Sequence, residues 1–359
     1  MGRLLACVLL CAPWQVDAAQ ADAPLQQPQP PPAVAVSEAG EQPSLRIRGF
    51  ADVSFSARDD DATDGFALGQ FVLHFASALG NKVSFFGETS FTAGPDVFAV
   101  EVERLHLRYD FDDRLKVSAG RFHTPVNYWN TAFHHGLWLQ TTISRPEMIR
   151  GGGTFQPVHF VGVLAEGFVA APVAGFGYNV GFGNGRHIHI ERGGDAGDAN
   201  TNRAWIAKVY AKPSDFFGLE LGGSVYTDLI TDNGGRVDER ILSAYAALTR
   251  ESPEIIAEFA NVRHRDELTN LEYDSRAFYV QVAHRFEAQP RWKPYYRFEK
   301  VMTPEDEPVL GDLDATLSTA GIRYELSGYA ALKAEYRHAR RGTARVRSNG
   351  AFVQAAWTF

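Results

Sequence analysis

The chain has almost no cysteine, few lysines and, beyond its first residues, no long apolar run. Its two cysteines, Cys7 and Cys11, both lie near the N-terminus. If that segment is removed, no thiol is left for a disulfide framework, a cysteine metal site or a cysteine nucleophile. Positive charge is in deficit, with a formal net charge of -8, which argues against a nucleic-acid partner. A membrane helix needs about 20 consecutive apolar residues, and no such stretch follows the N-terminal segment. A chain of this kind that spans a membrane must do so as a closed barrel.

The N-terminal segment, Met1 to Ala21, has a basic start at Arg3, an apolar run from Leu4 to Ala12 and small residues at Ala19 and Ala21. This is the pattern of a secretory signal peptide, and Pro13, Gln15 and Asp17 interrupt the run too early for a membrane anchor. Cys11 lacks the preceding small residue that a lipid-modified cysteine requires. Residues 22–44 are rich in Pro, Gln and Ala, with Pro28 to Pro32 reading PQPPP, and predict an extended periplasmic linker. Residues 45–359 form the remaining domain.

That domain is read as strands almost throughout. Leu45, Ile47, Ala51, Val53 and Phe55 alternate with Arg46, Arg48, Asp52 and Ser54, the period-two signal of a strand with one apolar side. An acidic loop, Arg58 to Gly65, precedes a hairpin of Phe66 to Leu79 and Lys82 to Thr92, turned at Gly80 and Asn81. Val97 to Asp110 is a strand whose apolar phase slips between Val102 and Leu105, which predicts a bulge. Leu115 to Phe122 follows it. Later runs, including Gly175 to Ile190 with His187 and His189 on one face, bring the total to about sixteen, an even number as single-chain bacterial barrels require. The last run, Gly350 to Phe359, places Ala351, Val353, Ala355, Trp357 and Phe359 on one face.

Connection lengths predict the same architecture, an all-β antiparallel transmembrane barrel with short periplasmic turns and longer extracellular loops. The long, polar connections are expected at Gly183 to Asn202, Arg263 to Tyr273, Pro304 to Leu313 and Arg340 to Asn349. Charges fall on the faces opposite the apolar ones: Arg46, Arg48, Arg104, Arg108, Glu258, Arg285, Arg297, Glu299, Arg323, Glu325, Lys333, Glu335 and Arg337. A charge facing lipid near the midplane costs about 2–4 kcal/mol, so these faces point into a wet lumen. Such a lumen selects ions by its field. For Arg297, Glu299, Arg323 and Glu325, pairing with charges on neighbouring strands is an equally simple role.

The longest connection, His123 to Gln156, is the third on its rim. It carries Tyr128, Trp129, Phe133, Leu137, Trp138, Leu139, Ile143 and Met148, too much apolar surface to leave in water. It should fold into the barrel, so that Arg121, His123, Tyr128, Trp129, His134 and His135 join the wall arginines at a constriction. His123, His134, His135 and His159 read as loop hydrogen-bonding groups, because no cysteine or fixed ligand spacing marks a metal site. Ser118, His106 and Ser144 lie in no nucleophile motif, so neither an enzyme nor a cofactor is expected.

The strand end LKVSAGRF, Leu115 to Phe122, running into His123-Thr124-Pro125-Val126, resembles the G-R-F-x-x-P signature of phosphate-selective-type porins. The terminal amphipathic strand closing on Phe359 resembles the C-terminal signal of bacterial outer-membrane barrels. The resemblance implies a sixteen-stranded channel in the Gram-negative outer membrane, assembled as a homotrimer, with its third loop constricting the pore. It also implies outer-membrane lipid, the barrel assembly machinery (through Phe359) and small, anionic solutes as partners. That family's phosphate selectivity rests on an arginine ladder and a lysine-rich vestibule, whereas here Arg is interspersed with Glu. The alternative is a sealed structural or adhesive barrel, if the aromatic loop closes the lumen altogether.

Overall fold

The computed structural model describes residues 43–60, 64–94, 96–149, 155–186, 190, 194–232 and 235–359. The expected signal peptide and all but the end of the linker lie outside the described residues, as do His187 and His189. The rest is one closed barrel of sixteen antiparallel strands, β1 (Leu45–Arg58) to β16 (Val346–Thr358), each paired to its sequence neighbours. β1 closes on β16, with Phe50 opposite Thr358 and Arg58 opposite Gly350. Closure leaves no unpaired edge strand.

The alternating pattern explains why this sequence forms such a sheet. On β4 (Phe98–Asp112), Phe98, Val100, Val102, Leu105, Leu107, Tyr109 and Phe111 are exposed on the outer surface. Arg104, His106 and Arg108, on the opposite face, pair in register with Glu88, Phe86 and Ser84 of β3 (Val83–Ala93). On β16, Val353 and Trp357 face outward, as does Phe359 just beyond it, while Gln354 and Ala356 are buried, as the sequence predicts. Phe359 extends the seam: its N–H donates to the Gly49 carbonyl at 3.0 Å and its carbonyl accepts from the Gly49 N–H at 2.9 Å. Its ring stacks on Phe71 of β2 (Gly65–Ala78) with centroids 5.9 Å apart.

The predicted bulge is present. The β3–β4 ladder shifts between Glu88 and Thr89, and Glu103 is the extra residue between Val102 and Arg104. A bulge re-aims a side chain, and the carboxylate of Glu103 is buried on the inner side, taking a hydrogen bond from Ser90 Oγ at 2.6 Å.

The loop expectation needs correcting. β15 (Ala330–Arg341) and β16 stay paired through Arg340–Arg347 and Arg341–Val346, so the connection is only 342–345. Likewise β11 (Glu254–Asp266) runs to Asp266 and leaves 267–271. Backbone pairing needs no apolar side chains, so charged strand ends continue the ladder where hydropathy alone suggests loop. Three connections on that rim are long: 124–158, 185–203 and 303–314.

Candidate functional site

The connection 124–158 joins β5 (Leu115–His123) to β6 (His159–Val169) and turns inward. Gly120 makes the approach to it possible. Its φ is +146°, and a Cβ there would lie 2.0 Å from the Leu105 carbonyl oxygen. The glycine of the G-R-F motif thus lets β4 and β5 come together beneath the loop. Asn127, with φ 61°, turns the chain into the short helix α1 (Trp129–Phe133), a conformation Asn tolerates better than most residues. The carboxylate of Glu258, from the inner face of β11, accepts hydrogen bonds from the N–H groups of Tyr128 (2.8 Å) and Trp129 (2.6 Å). Those are orphan donors at a helix start, where negative charge is favourable.

The same arrangement recurs along the loop. Wall carboxylates accept from its N–H groups and wall cations donate to its carbonyls. Glu335 accepts from Ile143 N at 3.0 Å and Ser144 N at 3.3 Å. Lys208 of β8 (Ala204–Pro213) donates to Asn127 O at 2.8 Å, and Lys333 to Thr142 O at 3.0 Å. Arg323 of β14 (Ala315–Ser327) reaches Gln140 O at 2.9 Å. Arg297 of β13 (Trp292–Met302) donates to Ser144 O at 2.9 Å, Ser144 Oγ at 2.7 Å, Arg145 O at 3.1 Å and Thr142 Oγ1 at 3.1 Å. Three strands on from β15 around the barrel, Gln70 Oε1 on β2 accepts from Arg145 at 3.3 Å. The loop is therefore tied to β2, β8, β11 and β13–β15, right across the barrel.

Its apolar side chains supply the packing. Trp129, Val126, Met148 and Ile149 are buried with Phe122, Phe155, Phe160 and Ile206 in one cluster. Trp129 is 1% exposed, so it is packing and does not line a water-filled bore. Tyr128 packs on Tyr245 of β10 (Gly235–Thr249) at 5.8 Å and on Phe133.

The expected wall arginines divide into three groups. Arg46 and Arg48 share the inner face of β1 and are exposed where that strand begins. Arg104, Arg108 and Arg337 are partly exposed and paired: Arg104 with Glu88, Arg108 with Asp110 at 2.8 Å, Arg337 with Glu335 at 2.7 Å. Arg297 and Arg323 are buried against the loop, and each pairs at 2.7 Å with the carboxylate two residues on, Glu299 or Glu325. Those pairs lie within a strand, where the sequence suggested pairing between strands. Two placements are corrected. Arg285 lies beyond its strand, in the connection 284–291, held by Glu251 and Glu325. Arg121 pairs in register with outward-facing Leu105, and its guanidinium binds the Glu103 carbonyl at 2.8 Å and Asp195 at 2.7 Å.

His123, His134 and His135 are buried at the base of the loop, beside the half-buried His159. Burial, with the neighbouring His135 and His123, holds the His134 imidazole well below its usual pKa, so the ring is neutral. The sequence reading missed Glu88, Gln70, Glu103 and Lys208. The phase slip at Val102–Leu105 marked the place of Glu103, and the alternation of β8 could have placed Lys208 inward.

Beside the loop, a cavity of about 210 Å³ is lined by Ile143, Ser144, Arg145, Glu147, Arg297 and Arg337, among others. At the level of the loop the inner wall is closed over. Asp52, Val72, Glu88, Lys208, Glu258, Arg297, Lys333 and Gln354 are all buried.

No family model and no curated protein matches the chain. Solved structures do share the fold. An anion-selective porin from Comamonas acidovorans superposes with a TM-score of 0.66 at 12% identity, over 89% of this chain and 100% of its own. The outer-membrane channel DcaP of Acinetobacter baumannii gives 0.61 at 10% identity, over 91% and 100%. OmpT, an outer-membrane protein of Vibrio cholerae, gives 0.60 at 15% in its trimer form, over 89% and 100%. The sixteen-stranded barrel of outer-membrane porins is thus the fold of this chain.

Proposed function

We propose that the chain is a porin-type channel of the Gram-negative outer membrane, embedded in lipid by its apolar outer face. Its third loop sets the bore, and small, preferentially anionic solutes pass beside the loop. The observation that carries this reading is the tether of the loop to wall charges on opposite sides of the lumen. Such a tether holds a constriction in place. The anion preference follows from which charges water reaches. Arg46 and Arg48 stand exposed at one mouth, while most inner carboxylates are buried. Phosphate specificity is not part of the proposal, because Arg297 and Arg323 are occupied by loop carbonyls. A homotrimer is the proposed assembly, in keeping with the trimer form of the Vibrio cholerae protein, and Phe359 is the proposed mark for the assembly machinery.

One observation favours a second reading. The near-complete burial of the inner wall at the level of the loop suits a sealed barrel with a structural or adhesive role. Reconstitution into planar bilayers separates the two. The channel reading expects discrete single-channel steps and a reversal potential on the anion-selective side in a salt gradient. Replacing Arg46 and Arg48 together by Ala should move that potential towards cations while changing conductance less, because charge alters the field more than the radius. A silent bilayer containing correctly folded, heat-modifiable protein would support the sealed barrel instead.

A further inference from the structure

We propose that His123, His134, His135 and His159 form a binding site for one divalent transition-metal ion of the zinc, nickel or copper class. The inference stands on geometry alone and does not depend on whether the barrel conducts.

Each of the four imidazoles offers a nitrogen, and these four atoms lie within 4.8 Å of one another. Metal–imidazole bonds of about 2.0–2.1 Å place tetrahedral ligand atoms about 3.4 Å apart. Small side-chain movements would therefore close the set on an ion. The fold brings the donors together from three directions. His123 ends β5, His159 begins β6, and the two are opposite each other in the ladder. His134 and His135 follow α1 and return the loop to that point. Neighbouring rings sit edge to face, with centroids 4.5 Å apart for His123–His134, 5.1 Å for His134–His159 and 4.3 Å for His134–His135.

A second observation points to a ligand. Both nitrogens of His123 and the Nδ1 of His134 are buried without a hydrogen-bond partner among the described residues. A buried polar atom left without a hydrogen bond is destabilising, and a bound ion is one of the ordinary explanations for such a group. His135 Nδ1 keeps a contact of 3.3 Å with Gln70 Oε1. The Nε2 atoms of His159 and His135 lie 2.9 and 3.1 Å from Glu103 Oε2, and that of His123 lies 3.8 Å from Glu88 Oε2.

Two carboxylates, Glu103 and Glu88, stand beside the cluster. The bulge at Glu103 turns a buried carboxylate towards it, and carboxylate partners orient metal-binding imidazoles and balance the ion. Of the cationic neighbours, Arg104 pairs with Glu88 and Arg121 with Asp195, while Arg145 rests on the neutral amide of Gln70. Four imidazoles with no thiolate suit Zn, Ni or Cu(II) rather than an oxygen-loving cation such as Ca or Mg. A bound ion would staple the loop at 134–135 to the strand ends on either side of it.

The test uses the full barrel folded in detergent, stripped with a chelator and dialysed, with Co2+ as the spectroscopic probe and Zn2+ as competitor. The expected result is one Co2+ per chain, with visible ligand-field absorption that Zn2+ removes. His134→Gln with His135→Gln should weaken binding by about 100-fold or more, since even supporting residues around a metal site are worth 10–100-fold. His284→Gln, in a turn outside the cluster, should bind as the parent does. Each variant is checked for heat-modifiable migration. If the double variant does not fold, His134→Gln alone is read, because the Nδ1 of that ring has no partner to lose. Parent protein that takes up no stoichiometric Co2+, or His134→Gln that binds as tightly as the parent, overturns the site in favour of a packed histidine–glutamate network.

Discussion

Replacing Arg297 by Ala is expected to release the middle of the third loop from the wall. The guanidinium is fully buried and donates to Glu299 and Gln281 on the barrel and to Thr142, Ser144 and Arg145 on the loop. Removing it leaves Glu299 as a buried carboxylate without its cation. Breaking a buried pair from one side costs about 3–5 kcal/mol, which corresponds to roughly a 10²- to 5 × 10³-fold larger opening equilibrium of the loop. Hydrogen exchange reads this at the amides of Ile143, Ser144 and Glu147, which donate to Glu335 and Glu299 in the closed loop. Arg297→Lys should recover only part of the protection, because one ammonium cannot reproduce a planar fork of five donors. Parent-like exchange in Arg297→Ala would mean that the other wall tethers and the apolar cluster hold the loop without Arg297.

Gly120→Ala is expected to reduce the assembled barrel to a small fraction of the parent level. The new methyl group would meet backbone, the Leu105 carbonyl at 2.0 Å and His106 Cα at 2.7 Å, and a backbone contact cannot rotate away. A positive φ adds strain of about 1–3 kcal/mol for a residue with a side chain. Both effects act on the β4–β5 hairpin, which carries His123 and the start of the loop. The heat-modifiable fraction on a gel measures the loss. Parent-level assembly of Gly120→Ala would show that β5 can pair with β4 in another way.

Much of this architecture was legible because barrel strands must alternate. Leu105, Leu107 and Tyr109 against Arg104, His106 and Arg108 state the two faces of β4 in the sequence itself, and the break in that rhythm marks the bulge at Glu103. The inward fold of the third loop was legible from Trp129, Met148 and their apolar neighbours, which need burial. The partners of the wall charges were not. Arg297, Arg323, Lys333 and Glu335 bind main-chain groups of the loop, and every residue type carries the same N–H and C=O, so the sequence holds no trace of that pairing. Strand ends such as Arg340 and Arg341 were misread for a related reason, since the ladder they extend is also made of backbone. The histidine cluster was invisible as a motif. Its members are brought together by β5–β6 pairing and by the return of the loop, not by spacing along the chain.

The central claim is that the third loop, tied across the lumen, sets the bore. Its most direct test is single-channel conductance of the parent and of a barrel whose loop is shortened between Asn127 and Pro146, both confirmed as heat-modifiable and recorded in the same bilayer and salt. Shortening removes α1, Trp138 and the carbonyls that Arg323 and Lys333 bind, while β5 and β6 keep their own pairing. The expected result is a conducting parent and a severalfold larger conductance step for the shortened barrel. A shortened barrel that inserts and conducts no more than the parent would contradict it.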